Sequence, residues 1–239
     1  MRHRSFAGPA AGLLLLLGIS PTAAADTLEI VRTLPHGGWS EGLDMRDGVL
    51  WTPYGHTIRE VDPQTGAELA RFTPTTGYQE SVTWFHDKLW SLSWDDDSIW
   101  AGTLDGAGVM HWTMMGRTPD IHGWGITHDD ENLIMTGNGQ PFLYFVNPDT
   151  MALVKTVTTP VDDLEDLAWD GRYVWASSYS DLQGMEVRLD PDTGDLVDLY
   201  PLPEPSECMK LDGVEVANGE LYVTGKDCPF IYVATLPPL

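Results

Sequence analysis

The chain has 239 residues, with 36 acidic against 13 basic side chains and a formal net charge of −23. That balance repels nucleic acid and anionic membrane surfaces, which excludes both as expected partners. The length is ample for one hydrophobic core, and repeat folds of this size usually form one domain.

The chain opens with Arg2, His3 and Arg4, continues with the apolar run Ala10–Gly18, and reaches Ala23-Ala24-Ala25 before Asp26. A basic start, a short apolar run and a small-residue cleavage site predict a secretory signal peptide over residues 1–25. The run is too short to span a bilayer as a stable helix. The mature chain is expected to be residues 26–239, secreted or periplasmic, with no membrane insertion. It is more acidic still once Arg2 and Arg4 are gone. Cys208 and Cys228 are the two cysteines. An even count in an oxidising compartment predicts one disulfide, with a metal-binding pair as the alternative.

From Thr27 onward the reading is β throughout. Runs rich in Val, Ile, Trp, Tyr and Thr alternate with Gly, Asp, Pro and Asn. A lone strand at Thr27–Thr33 comes first. Then one pattern recurs: a leading residue, a strand, a tight turn and a second strand. The five copies begin Glu41-Gly42-Leu43-Asp44, Glu80-Ser81-Val82-Thr83, Trp124-Gly125-Ile126-Thr127, Glu165-Asp166-Leu167-Ala168 and Asp212-Gly213-Val214-Glu215. They recur at intervals of 39 to 47 residues. That period is one four-stranded propeller blade. A second turn recurs between the copies as Asp62-Pro63-Gln64-Thr65-Gly66, Asn147-Pro148-Asp149-Thr150 and Asp190-Pro191-Asp192-Thr193-Gly194. It suits a junction of outer strands, because Asp or Asn accepts local backbone bonds and Pro presets φ. A final lone strand, Phe230–Ala234, ends the chain. The fold class is therefore all-β, a five-bladed propeller whose last blade is completed by the N-terminal strand, which removes an open edge. A β-sandwich is the alternative, and it does not account for the regular period.

The leading residues Glu41, Glu80, Trp124, Glu165 and Asp212 should converge at one mouth of the central channel. Trp39, Trp94 and Tyr179 stand at strand starts or ends near the same mouth, where aromatic walls would form a small dry pocket. Lys226, after Val223-Thr224-Gly225, is a cation at a strand end in a chain with few cations. Trp51, Trp84, Trp90, Trp169 and Trp175 sit at strand spacing and are expected to pack between blades. The seven His show no ligand spacing, and His36, His122 and His128 are read as loop residues.

Several of these segments resemble the plant and bacterial type glutaminyl-peptide cyclotransferases, also called glutamine cyclotransferases. Ile30–His36 followed by Trp39-Ser40-Glu41-Gly42-Leu43 resembles the family's opening strand, Tyr-Pro-His and Phe-Thr-Gln-Gly-Leu. Tyr78–Thr83 resembles Phe-x-Glu-Gly-Ile-Thr, and Leu92-Ser93-Trp94 resembles Leu-Thr-Trp. Gly123–Thr127 resembles Gly-Trp-Gly-Leu-Thr, Leu211–Val214 resembles Leu-Asn-Gly-Ile, and Val223–Lys226 matches Val-Thr-Gly-Lys. The resemblance runs in order along the whole mature chain. It implies a five-bladed propeller that cyclises N-terminal glutamine of peptides or proteins to pyroglutamate, releasing ammonia without a metal or other cofactor. It also implies Glu80 as catalytic acid/base, a role for Lys226, pocket tryptophans at Trp94 and Trp124, and Tyr179 where Trp is usual. Glu41 stands in place of the family's Gln, Glu165 and Asp212 in place of Asn, and Ser81 in place of Gly. Three neutral amides have thus become acids. Trp39, Glu41, Glu165 and Asp212 are expected to contact substrate, and a monomer is expected.

Two other readings of the same ring stay open. A metal-dependent lactonase or esterase would use Glu41, Glu165 and Asp212 as oxygen ligands. A propeller without catalysis would use the mouth only to bind.

Overall fold

The computed structural model describes residues 27–74, 77–178, 185–203, 208 and 210–238. The predicted signal peptide, residues 1–25, and Tyr179 lie outside these residues. The hydrophobic alternation of each repeat buries one strand face after the other. Blade one consists of β2 (Asp44–Arg46), β3 (Val49–Tyr54), β4 (Thr57–Val61) and β5 (Glu68–Phe72). Blade two consists of β6 (Gln79–Phe85), β7 (Lys88–Ser93), β8 (Ser98–Leu104) and β9 (Met110–Arg117). Blade three is β10 (Gly123–His128), β11 (Leu133–Gly137), β12 (Phe142–Val146) and β13 (Leu153–Thr158). Blade four is β14 (Leu164–Trp169), β15 (Val174–Ser178), β16 (Met185–Leu189) and β17 (Leu196–Pro201).

Blade five takes its three inner strands from the C-terminus: β18 (Lys210–Ala217), β19 (Glu220–Lys226) and β20 (Phe230–Thr235). Its outer strand is β1 (Ile30–Pro35), which pairs antiparallel with β20 through Thr33↔Tyr232 and Leu34↔Ile231. Arg32 ties the closure from the side, donating to Glu220 and to Tyr222 Oη. The closing strand begins three residues later than the sequence suggests, although Glu29 still accepts from the Thr235 amide. The innermost strands β2, β6, β10, β14 and β18 pack against one another around a closed circle. The fold is the five-bladed β-propeller.

The turns follow their residues. His86-Asp87, Asp47-Gly48 and Asn218-Gly219 all have positive φ at both central positions. That is the two-residue hairpin turn whose twist matches the flanking strands. In the outer junctions Asp62, Asn147 and Asp190 each accept two backbone N–H groups from the residues two and three places on. Leu50, Trp90, Ile126, Phe145, Trp175 and Val214 are buried between the blades. Complete burial of such side chains contributes about 1.5–3 kcal/mol each.

Candidate functional site

Each blade delivers its leading residue from the start of its innermost strand. Glu41 precedes β2, and Glu80, Trp124, Glu165 and Asp212 lie near the starts of β6, β10, β14 and β18. Glu41, Glu80, Glu165 and Asp212 are all buried. Lys226 closes β19, directly beside the start of β18. Its backbone N–H donates to Asp212 Oδ2 at 2.8 Å. Its Nζ stands 2.9 Å from Glu41 Oε2 and 3.4 Å from Asp212 Oδ1.

These residues, except Asp212, border a cavity of about 550 Å³ lined by Trp39, Glu41, Tyr78, Glu80, Trp94, Asp95, Trp124, Asp163, Glu165 and Lys226; Asp212 lies behind it, against Lys226. Trp39 is 44% and Trp94 42% exposed, unusual values for tryptophan in a folded core. Trp94 is backed by His122, whose ring stacks on it at 4.6 Å. His122 is thus more than a plain loop residue. His36 is buried after β1, and His128 stacks on Phe85 at 4.4 Å, so both pack rather than project. A separate cavity of about 460 Å³, bordered by Arg46, Trp51, Trp84 and Leu104, holds none of the ring residues.

Three lining residues were not singled out in the sequence. Tyr78 stands just before β6, two residues before Glu80, and both line the cavity. Its hydroxyl donates to Glu41 Oε1 at 2.6 Å, and Trp39 Nε1 donates to that hydroxyl. Asp95 follows Trp94 and accepts from the Tyr78 amide at 2.9 Å. Asp163, at φ 51°, reaches the cavity from the loop before β14. The two Asp residues had no sequence signal beyond their place beside ring residues.

Burial pushes Glu80 up to about 9, and Glu41 adds to the rise while Lys226 opposes it. Burial and Asp212 together push Glu165 up to about 8. Burial raises Asp212 to about 7 against the pull of Lys226. Burial works against the Lys226 ammonium, yet Asp212, Glu165 and Glu41 outweigh it and raise its pKa. Burial and the bond to Glu41 hold the Tyr78 phenol protonated. Glu80, Glu165 and Asp212 titrate together, so protons belong to the three before they belong to one residue. Near neutral pH the ring holds protons on some carboxyls and is an ammonium-centred acid cluster able to donate as well as accept. Among the described residues, no group of three or more His, Cys, Asp or Glu is arranged to hold a metal ion.

Cys208 and Cys228 form a disulfide with their Cα atoms 4.7 Å apart. Among the described residues no helix is long and apolar enough to cross a membrane.

The glutamine cyclotransferase family model matches residues 15–236. A sequence search of curated proteins gave no match. Among solved structures, the glutaminyl cyclase of Myxococcus xanthus superposes with a TM-score of 0.73 at 19% identity, covering 89% of this chain and all of that one. The Cps50 (Swd1) β-propeller domain of Myceliophthora thermophila gives a TM-score of 0.51 at 12% identity, covering 83% of each chain. The WD40 domain of Neurospora crassa Pan2 gives 0.51 at 14% identity, covering 78% of this chain and 56% of that one. These likenesses carry the fold, and the family match, which spans nearly the whole chain, carries the family: the chain belongs to the glutamine cyclotransferases.

Proposed function

We propose that the protein is a glutaminyl cyclase, converting N-terminal glutamine of peptides or proteins to pyroglutamate with release of ammonia, and that Glu80 is its general acid/base. The observation that supports this best is the meeting of Glu80, Lys226 and three tryptophans, Trp39, Trp94 and Trp124, around one cavity.

In the reaction the α-nitrogen bonds to the γ-amide carbon, and the bond from that carbon to the amide nitrogen breaks. The amine loses one proton and the leaving nitrogen gains one. Glu80 takes the first and delivers the second, one group acting as base and then acid. A free α-amine has a pKa of about 7.7–8.0, so both its forms are present near neutrality. A neutral amine entering against protonated Glu80 carries the same protons as an ammonium entering against ionised Glu80. Taking a proton from the ammonium gives the neutral amine beside protonated Glu80. Glu80 then delivers a proton to the leaving nitrogen and recovers one from the attacking nitrogen, so its raised pKa suits the exchange. The developing oxyanion needs a donor, and the Lys226 ammonium and the protonated members of the ring are the donors at hand. Trp39, Trp94 and Trp124 would fold the side chain back on its own amine, which is a proximity effect. Glu41, Glu165 and Asp212 would contact substrate or hold Lys226, with Glu165 and Asp212 acting as protonated donors where amides are usual. Tyr179 is proposed as a further pocket aromatic.

The activity is placed in one propeller unit over residues 26–239, acting as a monomer outside the cytoplasm. The disulfide supports an oxidising compartment, and the acidic surface disfavours nucleic acid and anionic lipid. Incubating the mature protein with a Gln-initiated peptide and following ammonia, with and without EDTA, tests the reading. Ammonia release insensitive to EDTA is expected. Release abolished by EDTA would favour the metal-dependent hydrolase, and no release from any Gln-initiated peptide would sink the cyclase.

A further inference from the structure

In a closed ring of blades the innermost strands have one edge with no strand partner. Those edges meet at the axis, where backbone N–H groups still need acceptors. The positions after the leading residues are Gly42, Ser81, Gly125, Asp166 and Gly213. Three are glycine because there is no room for more. A Cβ on Gly42 would stand 2.9 Å from Ser81 Cα, on Gly125 2.8 Å from the Glu165 carbonyl oxygen, and on Gly213 2.7 Å from Thr224 Cγ2.

The space is filled by Asp166. Its Oδ2 accepts from the Leu43 and Val214 backbone N–H groups, each at 3.0 Å. Its Oδ1 accepts from the Ser81 hydroxyl, whose oxygen accepts in turn from the Ile126 N–H at 3.1 Å. Leu43 lies two residues after Glu41, Val214 two after Asp212, and Ile126 two after Trp124. Ser81 follows Glu80, and Asp166 follows Glu165. One carboxylate and one hydroxyl thus join the innermost segments of all five blades, each within two residues of its ring member.

We propose that Asp166 is the positioning residue of the ring, fixing the spacing of Glu41, Glu80, Glu165 and Asp212, with Ser81 extending its hold to Trp124. It is no catalytic residue: it is fully buried and does not line the cavity. The placement stands on geometry alone, and only its kinetic readout rests on the proposed cyclisation.

Ser81→Ala removes the link to blade three and the one side-chain hydroxyl that donates to Asp166. The expected result is a kcat lower by about tenfold or more, since small misplacements of reacting groups are costly, with KM changed by less than about threefold. Hydrogen exchange over residues 123–128 should quicken, because the Ile126 amide loses its acceptor. Asp166→Asn should act in the same direction. A folded Ser81→Ala protein with parental kcat and unchanged exchange over 123–128 overturns the proposal. If neither variant folds, exchange in the parent protein decides. The amides of Leu43, Ile126 and Val214, which bond to side chains and not to a neighbouring strand, should exchange as slowly as ladder amides. Exchange at loop rates overturns the proposal. A parent protein that makes no pyroglutamate would sink the cyclase reading, while the exchange measurements would still pass or fail on their own.

Discussion

The Lys226 ammonium stands 2.9 Å from the Glu41 carboxylate, beside a cavity where every other ionisable side chain is an acid or Tyr78. A second acid, Asp212, holds the same ammonium at 3.4 Å and the Lys226 backbone N–H at 2.8 Å. The Glu41 side chain is 1% exposed and that of Asp212 is fully buried. One cation therefore keeps several buried carboxylates compatible with a folded ring.

Lys226→Met leaves those carboxylates uncompensated. Breaking a buried pair from one side costs about 3–5 kcal/mol, and the partial exposure of Lys226 puts the expected loss near the lower figure. Thermal unfolding should show it, and cyclisation should be lost as well. Adding Glu41→Gln to Lys226→Met should recover part of the stability and none of the turnover. A double variant no more stable than the single one would show that the pair is not coupled.

Glu80→Gln should fold and bind yet turn over poorly. General acid–base catalysis contributes about 10²–10⁴ in rate, so kcat should fall by that order with KM little changed. Stability should hold or rise, because burial already disfavours the charged form of Glu80. Steady-state kinetics with one Gln-initiated peptide checks this, and parental kcat would remove Glu80 from the mechanism.

Much of this arrangement was legible in the sequence because propeller blades repeat in register. Glu41, Glu80, Trp124, Glu165 and Asp212 could be aligned without coordinates, strand position pointed to Lys226 and Trp94, and the family resemblance gave those two their roles. The lone strands at the two ends announced the closure of blade five. The hydrogen bonds of Tyr78, Asp95 and Asp163 were not legible, because they depend on where loops from different blades meet. Asp166 stands in the fourth copy of the repeat, but nothing in the sequence pattern singled it out. Its role needed the axis in three dimensions, since its partners lie 48, 85 and 123 positions away.

The ring should also shape the pH–rate profile. Glu41 and Asp212 both raise the pKa of Glu80, and neither Gln nor Asn carries their charge. Glu41→Gln and Asp212→Asn should each move the limb belonging to Glu80 to lower pH. A profile identical to the parent's in both variants would show that these carboxylates do not set the protonation of Glu80.

Stability should fall as the solution turns alkaline. Glu80, Glu165 and Glu186 have folded pKa values pushed up to about 9, 8 and 8, and Asp44 and Asp212 to about 7. Burial is the first cause for each. The folded state binds more protons than the unfolded state between the ordinary carboxylate range and these values, so unfolding free energy decreases with pH there. The contribution is fully present below the unfolded pKa and lost as pH rises through about 7 to 9. Urea unfolding at pH 6 and pH 9 should give the higher midpoint at pH 6. Glu165→Gln should flatten the difference, and equal midpoints in the parent protein would contradict it.

The disulfide sits astride the same strand pair. Cys208 lies four residues before Asp212 and Cys228 two residues after Lys226, and both are fully buried. The bridge closes a separation of 20 residues, for which loop entropy predicts about 3 kcal/mol of stabilisation. Because the sulfurs are inaccessible in the folded protein, reductant should act only after local opening. Cys208→Ala/Cys228→Ala should therefore unfold at a lower temperature by an amount consistent with that figure, and reductant should lower the parent's midpoint towards the variant's without affecting the variant. Since the Lys226 amide is also held by Asp212, the variant should keep most of its turnover below its midpoint. A variant with parental stability would show that the bridge constrains nothing the strand pair does not already fix. A stable variant without turnover would show that the bridge, and not the Asp212 bond, holds Lys226 in place.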